Sequence, residues 1–218
     1  MNAATPRRRT QVERRNESEE ALLDAAADLV AERGVERASL ASIGERAGTS
    51  RGLPTHHFGS KDALVARLAR RAQNQIDDSA WAALRERVPN VEDARGLDLV
   101  RATVDGFLER FEHPHSDDRA LIVMWGATFP AEASVEGMID ADRRSLEGWA
   151  GLIETGQRDG SIRPDLDAQT VAVLLQGLVR GVAATLLTDA DLTEMGRVRD
   201  TCQRWITSAL ERPEEPRS

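Results

Sequence analysis

Cysteine, lysine and tyrosine are nearly or wholly missing from this chain. Cys202 is the one cysteine, so neither an internal disulfide nor a cysteine-based zinc finger can form, and a reducing, cytoplasmic setting is expected. Tyrosine is absent, and the aromatic residues are four Trp and four Phe. No uninterrupted apolar run approaches the roughly 18–20 residues that span a membrane. No apolar stretch follows the basic N-terminal residues either, so no secretory signal is expected. There is no HExxH, no glycine loop to cradle phosphate and no nucleophile with a base at recognisable spacing. No enzyme activity, cofactor or metal is therefore expected. His113 and His115 lie near Asp117 and Asp118, but no third ligand at helical spacing stiffens them, and a polar loop is the expectation.

Positive charge is almost entirely arginine, and Lys61 is the single lysine among 29 basic residues. The net charge of −8 argues at first against nucleic acid. Its distribution argues the other way: residues 1–72 carry 13 basic against 10 acidic side chains, and the remainder 16 against 27. A basic head on an acidic body suits a DNA-binding module joined to a sensing or dimerising domain. Residues 1–15, with five arginines and no apolar periodicity, read as a disordered basic arm. Pro213 and Pro216 mark a disordered tail over 213–218.

Between these ends the apolar residues recur at helical spacing, and no segment alternates with strand period. A first helix is predicted from Ser18 to Arg33, stopped by Gly34, and a second begins after Ser39 and closes at Gly48. Ser50 is the natural N-cap of a third, ending near Phe58, and Ser60 caps a long fourth helix running to Pro89. Five more follow: from about Glu92 to Phe111, one ending at Pro130, Ser134 to Asp159, Ala168 to Leu187, and one capped by Thr193. The expected fold is all-α, about nine helices, with a three-helix helix-turn-helix domain over 16–70 and a helical ligand-binding and dimerisation domain over 71–212.

In a helix-turn-helix the second of the paired helices lies in the major groove, its N-terminal residues nearest the bases. Candidate DNA contacts are therefore Ser39, Thr49, Ser50, Arg51, Gly52, Leu53, Thr55, His56 and Lys61. Ser39 and Ser50 put hydroxyls and free N–H groups at helix starts, where phosphate binds favourably. Arg51 can reach a phosphate or a guanine edge. Gly52 gives up bulk where backbone must approach DNA or the second helix. Lys61, in a first helical turn, opposes the helix dipole unless an anion sits there.

The pieces Glu32-Arg33-Gly34, Ser39-Leu40-Ala41-Ser42-Ile43-Gly44, Ala47-Gly48-Thr49-Ser50-Arg51-Gly52 and His57-Phe58-Gly59-Ser60-Lys61-Asp62-Ala63-Leu64 occur in order over residues 16–68. This segment resembles the DNA-binding domain of the TetR/AcrR family. The resemblance implies a homodimeric repressor on a palindromic DNA operator, released by a small-molecule effector. The departure is Pro54-Thr55-His56, where the family usually has Leu and two Tyr. Pro54 at the fourth position after a Ser50 cap would remove a helical N–H bond, so either the helix starts later or its first turn bends. It also keeps open an alternative, a dimeric small-molecule-binding or interaction protein with weakened DNA binding.

The body has no comparable fingerprint. Phe107, Phe111, Met124, Trp125, Phe129, Trp149 and Leu152 are candidate ligand contacts, with Trp81 beside them, although the same residues describe a core. With no basic cluster among them, an apolar ligand is preferred. The eighth helix is too apolar for one buried stripe and calls for cover by a partner. Leu174, Leu178, Gly181, Cys202, Trp205 and Ile206 are the candidate dimer contacts.

Overall fold

The computed structural model describes residues 10–88, 90–127, 136–189 and 191–213. Among these, α1 (Gln11–Arg33), α2 (Leu40–Arg46), α3 (Leu53–Phe58) and α4 (Lys61–Arg87) come first. A 3₁₀ turn at Val91–Asp93 precedes α5 (Gly96–Arg110), α6 (Ser116–Ala127), α7 (Glu136–Asp159), α8 (Ala168–Thr188) and α9 (Met195–Leu210). The described residues contain no strand, only an isolated bridge between Ile162 and Glu211. The all-α expectation holds.

Gly34, Gly48, Gly59 and Gly160, each read as a helix stop, all have φ between 67° and 82°, a region that costs other residues dearly. Starts were harder to place. The first helix begins at Gln11, not Ser18, so residues 11–15 belong to it rather than to a disordered arm. A reciprocal cap explains this: Thr10 Oγ1 accepts from Glu13 N (3.2 Å) while Glu13 Oε2 accepts from Thr10 N (2.7 Å). Helix α5 begins at Gly96, where Asp159 Oδ2 accepts from Gly96 N (2.7 Å) and Ser161 Oγ from Leu97 N (3.1 Å). Both caps come from across the fold. Glu194, not Thr193, precedes α9 and makes no side-chain cap. Residues 1–9, Phe129, Pro130, Ser134 and residues 214–218 fall outside the described ones.

Leu22, Leu29, Ile43, Leu64 and Leu68 are at most 2% exposed and hold α1, α2 and α4 together, each burial stabilising by about 2 kcal/mol. Their core runs without a break into that of the body, through Leu97, Val104 and Leu121 to Ile153 and Val179. Helix α4 packs along α5, α6 and α7, and α1 lies against α6.

Polar bonds reinforce that junction. Ser116 Oγ donates to Asp28 (2.6 Å), and Arg71 reaches Glu20 (3.1 Å) and Asp24 (2.8 Å) on α1 and Asp117 (2.6 Å) on α6. Asp118, fully buried, accepts from Arg110 (2.5 Å) and from His115 N (2.8 Å). The polar loop expected over 113–118 thus ends at His115. Asp117 and Asp118 are helical, buried and ion-paired, because their arginines arrive from other helices.

Candidate nucleic-acid interface and ligand cavity

Ser39 caps α2 as expected: its Oγ accepts from Ser42 N (3.1 Å), and Ser42 Oγ accepts from Ser39 N (3.1 Å). Ser50 does not cap α3. The residue before α3 is Gly52, and Pro54 takes the second helical position, where no intrahelical N–H bond is lost. The later start resolves the conflict without a bend. Ser50 instead lends its carbonyl to Leu53 N (3.1 Å) in the turn. The Thr49 hydroxyl is engaged internally, donating to the Gly44 carbonyl (3.2 Å).

Pro54 is buried, Leu53, His57 and Phe58 are half-buried, and Thr55 and His56 are exposed. Gly52 and Arg51, three to four residues earlier, are exposed as well. Gly52, the N-cap, lies three and four residues before Thr55 and His56 and so shares their face, and Arg51 stands in the turn just before it. A Cβ added at Gly52 would meet nothing within 4 Å. Packing against α2 is therefore not what Gly52 serves. The close approach belongs to Gly44, whose added Cβ would lie 2.8 Å from the Ser50 carbonyl and 3.3 Å from Pro54 Cδ. Gly44→Ala is expected to destabilise the domain by about 1–3 kcal/mol; an unchanged urea midpoint would show that the turn can yield. Arg51 is ion-paired to Glu45 on the surface. Lys61 Nζ donates to the Glu36 carbonyl (3.0 Å), which engages one of its three donors and leaves two for an anion.

In the body, a cavity of about 190 Å³ opens between α4, α5, α6, α7 and α8. Of the expected contacts, Phe107, Trp125, Trp149 and Leu152 line it, with Trp81 at the exposed rim. Phe111 and Met124 do not. They are 5% and 0% exposed, spent on the core, because an apolar side chain on an inner helical face serves core and pocket alike. Nor is the wall wholly apolar: Gln73, Asp77, Arg144, Ser145, Gln176 and Arg180 also line it. The guanidinium of Arg180 lies 4.0 Å over the Trp125 ring and is held by Asp142 (2.5 and 3.1 Å). Gln176, with its amide turned to satisfy both ends, accepts from Arg180 (2.9 Å) and donates to Ser145 (3.2 Å). Loss of water around Asp77 pushes its carboxyl up from the ordinary value.

Helix α8, with a mean hydropathy of 1.7, is long and apolar enough by length and composition alone to cross a membrane. Here its inner face packs on α7 through Val171, Leu175 and Val179. Leu174 is 66% exposed and Trp205 on α9 64%, while Gly181 is exposed and Leu178 half-buried. Cys202 and Ile206, expected on a dimer face, are each 3% exposed. They sit on the inner side of α9, which packs on α5. Burial also pushes the Cys202 thiol up, away from the reactive thiolate.

The sequence profile of bacterial regulatory proteins, tetR family, matches residues 22–68, from the middle of α1 into the first turns of α4. The transcriptional repressor KstR2 of Rhodococcus jostii is 31% identical over 155 residues, 68% of this chain and 69% of that one. The chain belongs to the TetR family. It is a helix-turn-helix transcriptional regulator with the family's two-part helical fold. The regulator CymR of Pseudomonas putida is 29% identical over 201 residues, 90% of this TetR-family chain and 93% of the relative. FadR of Bacillus subtilis, solved in complex with stearoyl-CoA, superposes with a TM-score of 0.74 at 14% identity, covering 87% and 97% of the two chains.

The polar cavity residues of this TetR-family chain escaped the sequence reading. A signal was present: Gln73 is a buried polar residue among the apolar positions of α4, and Gln176 and Arg180 are a polar pair four apart on an otherwise buried stripe of α8. Such a pair on an inner face needs partners inside the fold.

Proposed function

We propose that this chain is a repressor that binds a palindromic operator as a homodimer and is released by a small molecule in the α4–α8 cavity. The observation that carries the DNA half is the exposed start of α3 and the turn before it, where Arg51, Gly52, Thr55 and His56 stand clear of a buried Pro54. Because Pro54 fits its position, it no longer favours a protein that has lost DNA binding. The name repressor, borne by KstR2, supports the direction of control.

Two heads about 34–36 Å apart would meet successive major grooves on one side of the duplex. Ser39 at the α2 N-terminus, with Ser50 and Lys61, is assigned to the phosphate backbone; Arg51, Leu53, Thr55 and His56 are assigned to the groove, while Thr49, whose N–H and hydroxyl both donate to the Gly44 carbonyl, is assigned to the turn. The cavity reaches the heads through α4: Gln73 and Asp77 line it, while Arg71, on the same helix, grips α1 and α6. A ligand favouring a different tilt of α4 would shift the heads from operator spacing. A regulator of this kind acts as a binding protein, with no catalytic step, and works where the DNA is, in the cytoplasm.

Selection from a random DNA pool is expected to return a palindrome. Its affinity should fall about a thousandfold or more between 50 and 200 mM salt. Equal affinity for selected and random DNA would sink the reading. Gly52→Ala separates DNA approach from folding: unfolding free energy should stay within about 0.5 kcal/mol, while operator affinity drops about tenfold. Unchanged affinity would place the DNA backbone elsewhere.

A further inference from the structure

The geometry points to the chemistry of the ligand: an α-amino acid whose apolar side chain enters the α4–α8 cavity while Asp77 takes its ammonium and Arg144 its carboxylate at the mouth. This rests on the cavity being the effector site, as proposed above, and adds what the site recognises.

Exposure sorts the wall into two parts. Trp149, Phe107 and Val179 are 6%, 7% and 1% exposed and give the cavity an apolar inner wall. Trp81, 47% exposed, marks the mouth. Asp77, one turn before it on α4, and Arg144 on α7 are exposed lining residues as well. The cavity holds about 190 Å³, and about 150 Å³ of apolar cavity is enough to take benzene. One ring therefore fills the inner part, and polar groups attached to it stay at the mouth.

The mouth carries two opposite charges that the fold leaves open. Arg180, the other cavity cation, is held by both oxygens of Asp142 and by Gln176. Asp77 and Arg144 have no such closure: among the described residues no ion pair within 4 Å joins them. Their charges still act on each other. Loss of water holds the Asp77 carboxyl above its ordinary value, and Arg144 opposes that rise. Helices α4 and α7 pack together, so the two groups flank the mouth from its two sides. Gln73 Nε2 donates to Asp77 Oδ1 (3.0 Å), and Oδ2 has no donor among the described residues.

An open pair of this kind selects by charge. An anion on Arg144 would lie beside the Asp77 carboxylate, and a cation on Asp77 beside the guanidinium, so each leaves one repulsion unanswered. A zwitterion answers both, because its ammonium and carboxylate share one carbon atom. Its charged end remains at the exposed mouth, where little solvation is lost.

The test uses the full-length chain with L-phenylalanine, hydrocinnamate and phenethylamine, read near neutral pH by calorimetry and by tryptophan fluorescence. The three share a benzyl group and differ in which charges they carry. Phenylalanine should bind about tenfold more tightly than either of the others. In Asp77→Asn it should bind no better than hydrocinnamate, which itself does not weaken. In Arg144→Gln it should bind no better than phenethylamine, which does not weaken either. Equal binding of the three, tighter binding of a singly charged ring, an equal loss of all three in a variant, or no binding of any would each overturn the proposal. Operator release, followed in the same titration, separates the two readings. Zwitterion preference without release removes the effector role and leaves the ligand class standing; release by all three rings alike does the reverse.

Discussion

Asp118→Ala is expected to lower the unfolding free energy by about 3–5 kcal/mol, the scale for deleting one partner of a buried ion pair. Asp118 is 0% exposed, and its partner Arg110 has a side chain only 13% exposed. Removing the carboxylate leaves the guanidinium buried with only neutral partners, Ser79 Oγ (2.6 Å) and the Gln75 carbonyl (3.3 Å). It also frees His115 N at the start of α6. Asp118→Asn keeps an acceptor for that N–H and should recover part of the loss. Asp117→Ala should cost less, because Arg71 keeps Glu20 and Asp24 on α1. Its expected signature is functional: with the α1–α6 link through Arg71 cut, ligand should release the operator less effectively. Urea denaturation of the three variants ranks them, and a loss below about 1 kcal/mol for Asp118→Ala would mean that water reaches Arg110.

These aspartates show where the sequence stops being legible. Their partners lie 46 and 8 residues away, and nothing local distinguishes a buried Asp-Asp from a solvated one. A local cause is legible where one signal acts alone. Gly34, Gly48, Gly59 and Gly160 end helices because their backbone demands it. Ser39 caps α2 because its hydroxyl reaches an N–H three residues on. Local signals that compete are harder: Ser50 and Gly52 both suit a helix start, and Pro54 decides between them by accepting only the first turn. The first turns of α1 carry exposed polar residues and so lack apolar periodicity, which hid them. At the cavity, Phe107 and Trp149 could not be told from Phe111 and Met124, since core and pocket ask for the same side chains. Which polar residues join that wall, Gln73 and Gln176 among them, depends on which helices meet.

The outer faces of α8 and α9 pose the remaining large question of energy. Val173, Leu174 and Trp205 are 56%, 66% and 64% exposed, an apolar surface that a partner would cover. Gly177 and Gly181 leave open space beside them where another helix can approach. A second copy of this chain is the proposed cover, since a palindromic operator needs a two-fold partner. Leu174→Glu combined with Trp205→Glu places two carboxylates in that interface and touches no residue of the protomer's own core. The expected result is a shift in light-scattering mass from about twice the 23.9 kDa of one chain to that value. Operator affinity should fall about a hundredfold or more, because two tethered heads bind far more tightly than one. Cys202→Ser, on the inner side of α9, should leave the dimer mass unchanged. A double variant that still runs at twice the chain mass would move the interface off these helices. A Cys202→Ser protein that dissociates would return that cysteine to the interface, against its burial.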